Sequence, residues 1–168
     1  MRSRAVIDSA VGPLTLVAQD GAIVGLYMDT QRHRPDDDEL GVPERLGREA
    51  EQFMAAADQL DAYFSGALTR FTLLLAPRGS QFQQRVWTAL QDIPYGETES
   101  YGELAERIGS PGAARAVGLA NGKNPIGIVI PCHRVVGADG KLTGYGGGLD
   151  RKKQLLDLER AVSGGALF

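Results

Sequence analysis

Cys132 is the single cysteine of a 168-residue chain, and it stands between Pro131 and the pair His133-Arg134, just beyond the apolar run Ile126–Ile130. A lone cysteine is commonly a small buried hydrophobe, but this one has polar, basic neighbours. A thiol attacks as its thiolate, and nearby cations, a base or helix-end amides are what favour that form. The chemistry on offer is therefore nucleophilic attack at sulfur. An internal disulfide is excluded, and with only His33 and His133 beside it no Cys/His zinc cage can be built. Consecutive residues of an extended strand face opposite ways, so His133 can serve Cys132 only across a tight turn or through a bridging water.

The elements that must position these residues can be read from pattern. Arg4–Ser9, Leu14–Ala18 and Ala22–Met28 predict a β-meander, with Gly12-Pro13 and the hairpin dipeptide Asp20-Gly21 between them. Residues 30–43, with the run Asp36-Asp37-Asp38-Glu39, read as a solvated excursion rather than a metal site. From Glu44 to Phe64 the residues Ala50, Phe53, Met54, Ala57, Leu60 and Phe64 recur at helical spacing, and Gly66 caps that helix. A short strand at Phe71–Leu75 and the Pro77/Gly79 break place a domain boundary there, giving units 1–77 and 78–168.

Beyond the boundary the pattern turns helical. Ser80 caps a helix with inner face Phe82, Val86, Trp87 and Leu90, Trp87 being read as a core anchor. Two short helices, Tyr101–Ile108 and Ala113–Ala120, flank Gly109-Ser110-Pro111-Gly112, a turn of helix-turn-helix length. Ile126–Ile130 is expected to be a short buried strand leading to Cys132. Asp139-Gly140 turns the chain, and Leu149–Val162 forms the last helix. The fold class is α/β: a small N-terminal unit of antiparallel sheet plus helix, then a mainly α C-terminal unit.

Composition bounds the partners. With 43% apolar and 23% charged residues the chain is an ordinary globular one, and no apolar run approaches the ~18 residues of a membrane span. A cytoplasmic protein is expected. Net charge is −3, but residues 1–79 carry 8 basic against 12 acidic side chains and residues 80–168 carry 10 against 9, so a polyanion would meet the C-terminal half. The second helix of the helix-turn-helix is poor in base-reading side chains: Ala113, Ala114, Ala116, Gly118 and Ala120 surround the single long cation Arg115. So bare a surface suits close, sequence-blind approach to a minor groove, and an arginine among alanines is rarely buried unpaired.

Ile130-Pro131-Cys132-His133-Arg134-Val135-Val136 resembles the active-site motif of the O6-alkylguanine-DNA alkyltransferases. Pro94-Tyr95-Gly96-Glu97-Thr98, Ser100-Tyr101-Gly102, Ala113–Gly118, Asn124-Pro125, Gly144-Tyr145-Gly146-Gly147-Gly148 and a helix ending in Glu159 follow in that family's order and spacing. The likeness is dense over residues 80–160, and residues 1–79 match the family's variable N-terminal domain in outline. It implies a ribonuclease-H-like first domain and a second one carrying the helix-turn-helix.

The resemblance also implies roles. Cys132 is similar to the acceptor that takes the alkyl group from guanine O6, once and irreversibly. His133 resembles the histidine that receives the thiol proton through a water, Glu159 the carboxylate that orients it, and Asn124 the hinge asparagine bracing the turn. Tyr101, Val135, Tyr145, Gly146 and Gly147 correspond to substrate-binding positions. Arg115 corresponds to the finger that fills the gap left by a flipped nucleotide, with Ser110, Ala113, Ala114, Ala116 and Gly118 against DNA. The implied partner is double-stranded DNA containing O6-alkylguanine, met in the minor groove by a monomer. Cooperative assembly on DNA and action on O4-alkylthymine stay open, and no cofactor or metal is implied. A structural zinc found in some members' N-terminal domain has no ligands here, and Asn121 stands where certain members place a larger apolar residue. A noncatalytic alkylated-DNA-binding relative is the main alternative, and Cys132 speaks against it. A helix-turn-helix regulator and a cysteine hydrolase fit the residues less well.

Overall fold

The computed structural model describes residues 2–43 and 50–165. Three strands, β1 (Ser3–Ile7), β2 (Leu14–Gln19) and β3 (Ala22–Met28), form the expected antiparallel meander. Asp20 and Gly21 both take positive φ, 52° and 81°, the conformation a two-residue hairpin with right-handed strand twist requires. The sheet is not purely antiparallel, however. Within the acidic excursion a 3-10 turn at Asp37–Leu40 leads to β4 (Val42–Pro43), which pairs parallel to β1 and gives the order β3-β2-β1-β4. No alternation announces a two-residue strand ending in proline, and an edge is where proline is tolerated.

Helix α1 (Ala50–Phe64) covers the sheet; the part of the expected helix at 44–49 lies outside the described residues. Its buried face is Phe53, Ala56, Leu60 and Tyr63, while Met54, expected inside, is 67% exposed. Tyr63 replaces it because positions 53, 56, 60 and 63 follow one stripe more closely than 53, 54 and 57 do. Gly66 ends the helix at φ 81°, its N–H bonded to Tyr63 O. The expected strand Phe71–Leu75 is extended chain held by one parallel bridge, with Ile23 N–H on Leu74 O and Ala76 N–H on Ile23 O.

In the second half, α2 (Gln81–Leu90) begins in a capping box between Ser80 and Gln83. Trp87 is an anchor as expected: it is 2% exposed and its Nε1–H reaches Ala120 O at 2.8 Å, tying α2 to the segment that carries Ala120. α3 (Tyr101–Arg107) and α4 (Ala114–Gly122) form the helix-turn-helix, joined through Gly109 and Gly112 at positive φ. Two-residue strands β5 (Glu99–Ser100) and β6 (Val135–Val136) pair in parallel, and α5 (Leu149–Gly165) closes the described chain. Among the described residues no helix is long and apolar enough to cross a membrane.

One apolar core runs through both halves, from Leu14, Leu26 and Leu60 to Leu90, Ile126, Ile130 and Leu155. β3 stitches them: Leu26 N–H bonds to Pro125 O at 2.8 Å and Gly127 N–H to Leu26 O at 3.3 Å. The expected strand Ile126–Ile130 is therefore a single bridge at Ile126 followed by turns, with Ile128 in the left-handed region at φ 69°. Its apolar run reflects full burial, not strand geometry.

Candidate active site

The tight turn that the Cys132-His133 pair needs is present. Cys132, His133 and Arg134 form one 3-10 turn, and all three are buried. Asn124 braces it from below: its Oδ1 accepts from Ile126 N–H at 3.0 Å, and its Nδ2–H donates to Ile130 O at 2.8 Å. Asn121, on the last turn of α4, donates to Cys132 O at 3.3 Å, which ties the helix-turn-helix to the thiol's own backbone.

His133 points into the core, where Glu159 of α5 waits. His133 Nε2 lies 2.6 Å from Glu159 Oε2, and both side chains are fully buried. The carboxylate collects further donors: Arg134 Nε and Nη2 at 2.8 and 3.1 Å, Tyr63 Oη at 2.6 Å and the Gly96 N–H at 3.2 Å. Burial alone would push the Glu159 carboxyl up, but His133 and Arg134 outweigh it and hold the group down at about 2. Burial also pushes the His133 imidazole below its ordinary value, against the pull of Glu159, so at neutral pH it is the uncharged ring. A carboxylate only accepts, so the ring proton sits on Nε2 and Nδ1 carries the lone pair. Nδ1 is buried and has no hydrogen-bond partner among the described residues. The result is a neutral base of fixed tautomer, next in the chain to a thiol.

Cys132 is 6% exposed. Burial pushes its thiol up, partly offset by Asn124 and by the positive charge of Lys152. Lys152 is a component the sequence reading missed. It is fully buried in α5, its ammonium donating to Val135 O at 2.5 Å and Thr143 O at 2.7 Å, and burial brings it down to about 8. Its position was a legible signal: Lys152 lies three, four and seven residues before Leu155, Leu156 and Glu159, on the inner stripe of the helix. In the sequence Arg134 stands out only as a neighbour of Cys132, and the contacts that Tyr63 and the Gly96 amide make with Glu159 leave no spacing signal because they cross 96 and 63 residues.

A cavity of about 10 Å³ lies beside Cys132, walled by Asn121, Asn124, Tyr145, Gly146 and Gly147 among others. Tyr145 is buried, and burial raises its hydroxyl well above the ordinary range. Tyr101 stands at the rim of the Thr143–Gly144 loop, its hydroxyl 3.3 and 3.5 Å from those carbonyls. Val135 is not part of this wall; its carbonyl is taken by Lys152. Arg115 is exposed on α4 and makes no hydrogen bond or ion pair among the described residues, with Ala116 beside it also exposed and Ala113, Ala114, Gly118 and Ser110 half-buried. Among the described residues no group of three or more His, Cys, Asp or Glu side chains could hold a metal ion.

Known proteins resemble this chain in sequence and fold. The model of the 6-O-methylguanine DNA methyltransferase DNA-binding domain matches residues 81–161, and that of the same family's ribonuclease-like domain matches residues 3–77. The methylated-DNA–protein-cysteine methyltransferase of Mycolicibacterium paratuberculosis is 58% identical over 163 residues, covering 96% of this chain and 94% of its own. That of Methanosarcina acetivorans is 48% identical over 155 residues, covering 92% and 96%. The structure of Mycobacterium tuberculosis OGT in complex with DNA superposes with a TM-score of 0.88 at 54% identity, over 95% of this chain and 94% of that one. The ribonuclease-like sheet-and-helix unit, the helix-turn-helix unit and these identities together make the chain a member of the 6-O-methylguanine DNA methyltransferase family.

Proposed function

We propose that the protein repairs DNA by direct reversal, moving an alkyl group from O6-alkylguanine to Cys132 in a single irreversible turnover. The observation that carries this reading is the buried Glu159–His133 pair, which leaves a base at Nδ1, without a partner among the described residues, on the same turn as the only thiol. In the reaction the Cys132 proton passes through a water to His133 Nδ1, and Glu159 stabilises the imidazolium that forms. Sulfur attacks the alkyl carbon in line, the S–C bond forms as the C–O6 bond breaks, and guanine leaves with the electron pair. Lys152 favours the thiolate electrostatically. The Tyr145 hydroxyl, kept protonated by burial, and the Gly146 amide are the donors we assign to the charge growing on O6. Reversing the step would have to expel the Cys132 thiolate from an unactivated alkyl carbon, so the thioether persists and the protein is spent.

The target atom is out of reach inside a duplex, and extrusion of the nucleotide costs a few kcal/mol. We assign the exposed Arg115, which has no ion-pair partner among the described residues, to the vacated stack and Tyr101 to the flipped base at the pocket rim. Ala113, Ala114, Ala116 and Gly118 give the bare surface that lets α4 approach the minor groove, with Ser110 at the preceding turn. The division of labour follows the chain: 1–77 supplies the sheet and Tyr63, and 78–168 supplies the DNA-facing helices and the thiol. We take the acting unit as a monomer in the cytoplasm, where a lone thiol stays reduced.

A noncatalytic DNA-binding role is disfavoured by the intact thiol and its relay. The discriminating variant is Cys132→Ala. Loss of alkyl transfer with retained affinity for an O6-methylguanine duplex supports the reading, whereas transfer that survives in Cys132→Ala overturns it.

A further inference from the structure

The wall of the cavity beside Cys132 is not built by the C-terminal half alone. Gln31, from the loop after β3, lines the same space as Cys132, Asn121, Asn124 and Tyr145. The remainder of that wall is glycine. The cavity of about 10 Å³ is room for about one water, so a bulky alkyl group needs a wall side chain to move.

What can move is decided by burial. Asn121, Asn124 and Tyr145 are 3%, 4% and 8% exposed, and both asparagines are bonded to the backbone that carries Cys132. The glycines have no side chain to swing. Among the wall residues that carry a side chain, Gln31 is the half-buried one and sits on a surface loop. Its Oε1 accepts from Met28 N–H at 2.9 Å, and its Cγ and Cδ lie 3.3 and 3.8 Å from where a Cβ on Gly146 would be, so it packs directly on the pocket loop. The backbone beneath it is fastened: Arg32 N–H bonds to Gly146 O at 2.7 Å, and Arg151 pairs with Asp29 at 2.5 Å. Rotating the Gln31 side chain costs one hydrogen bond and opens the cavity toward solvent; shifting any other wall residue disturbs the core or the turn.

We infer that Gln31, contributed by the N-terminal half, is the side chain that sets the size of alkyl group delivered to Cys132. It is a specificity residue, closing the pocket over a methyl and resisting a benzyl or longer chain. This rests on the alkyl-transfer reading above.

The test uses the full chain and duplexes bearing either O6-methylguanine or O6-benzylguanine, with single-turnover rate constants measured for each. Gln31→Ala raises the benzyl-to-methyl ratio by about tenfold, the net worth of the hydrogen bond no longer broken. Gln31→Phe, which refills the space with a rigid ring, lowers the ratio below that of the unaltered protein. A ratio that stays the same in both variants, or moves the same way in both, overturns the inference while leaving alkyl transfer standing. If the unaltered protein alkylates Cys132 from neither duplex, the parent reading falls first, and this one with it.

Discussion

His133 and Glu159, 26 residues apart in the chain, meet at 2.6 Å in a site with no solvent exposure, and the contact decides which nitrogen of the ring is basic. Glu159 is at the same time the counterion of Arg134 and the acceptor for Tyr63. One carboxylate thus holds the α5 helix, the Cys132 turn and the first domain's helix together. Chemistry and fold share this joint.

Separating the two duties requires the right substitution. His133→Gln removes the base but leaves Arg134 paired, so the fold survives and transfer slows most near neutral pH. As the medium becomes alkaline enough to ionise Cys132 directly, the deficit shrinks. A pH–rate profile of the variant against the unaltered protein checks this, and a deficit constant across pH contradicts the base role. Glu159→Gln, by contrast, strips the buried Arg134 of its partner and costs about 3–5 kcal/mol of stability, read as a lower urea midpoint.

Acid titrates the same joint. Glu159 is held near 2 in the fold against an ordinary 4.5, so its contribution is complete above pH 4.5 and is lost as pH falls toward 2. A shift of that size corresponds to on the order of 3 kcal/mol. His133 works in the same direction: its folded value lies below 6.5, so the unfolded chain takes up that proton first and acid favours unfolding. Urea midpoints measured from pH 7 down to pH 3 will fall steadily, and a midpoint unchanged at pH 3 contradicts the assignment.

Arg115→Ala separates DNA handling from sulfur chemistry. Arg115 is exposed and lies outside the wall of the Cys132 cavity. The variant loses at least about tenfold in rate on duplex O6-methylguanine, where a gap must be filled, and little on free O6-benzylguanine base, where none is made. Equal losses on both substrates refute the finger role.

How much of this could be read beforehand depended on whether the signal was local. The hairpin at Asp20-Gly21, the Ser80 cap and Gly66 at the end of α1 depend on two to four adjacent residues, and each appears as expected. Cys132, His133 and Asn124 lie within nine residues of one another, inside the motifs that carry the family resemblance. Ile126–Ile130 misled because complete burial erases periodicity, so a buried turn and a buried strand look alike. Met54 misled because its spacing sits at the margin of the stripe that Tyr63 completes. Tyr63, the Gly96 amide and Gln31 reach the site across 96, 63 and more than 100 residues respectively, or from the other half, and no spacing rule reports such contacts.

The spent protein should be weaker than the active one. Cys132 is 6% exposed beside a cavity with room for about one water, so an S-benzyl group crowds the site more than an S-methyl group does. Adding methylenes to a close-packed interior costs about 1–3 kcal/mol. Since Asn121 hangs from the Cys132 carbonyl, the strain reaches α4 and loosens the grip on DNA. Melting temperatures fall in the order unmodified, methylated, benzylated; equal or higher values for both modified forms contradict this.

The central claim is a stoichiometric transfer to one sulfur, and the intact mass of the protein after incubation with excess O6-methylguanine duplex tests it most directly. One added methyl per molecule, localised by peptide mapping to Cys132 and accompanied by one repaired guanine per protein, is the predicted result. Repair of many guanines per molecule with an unchanged protein mass, or a methyl group on any other residue, would contradict it.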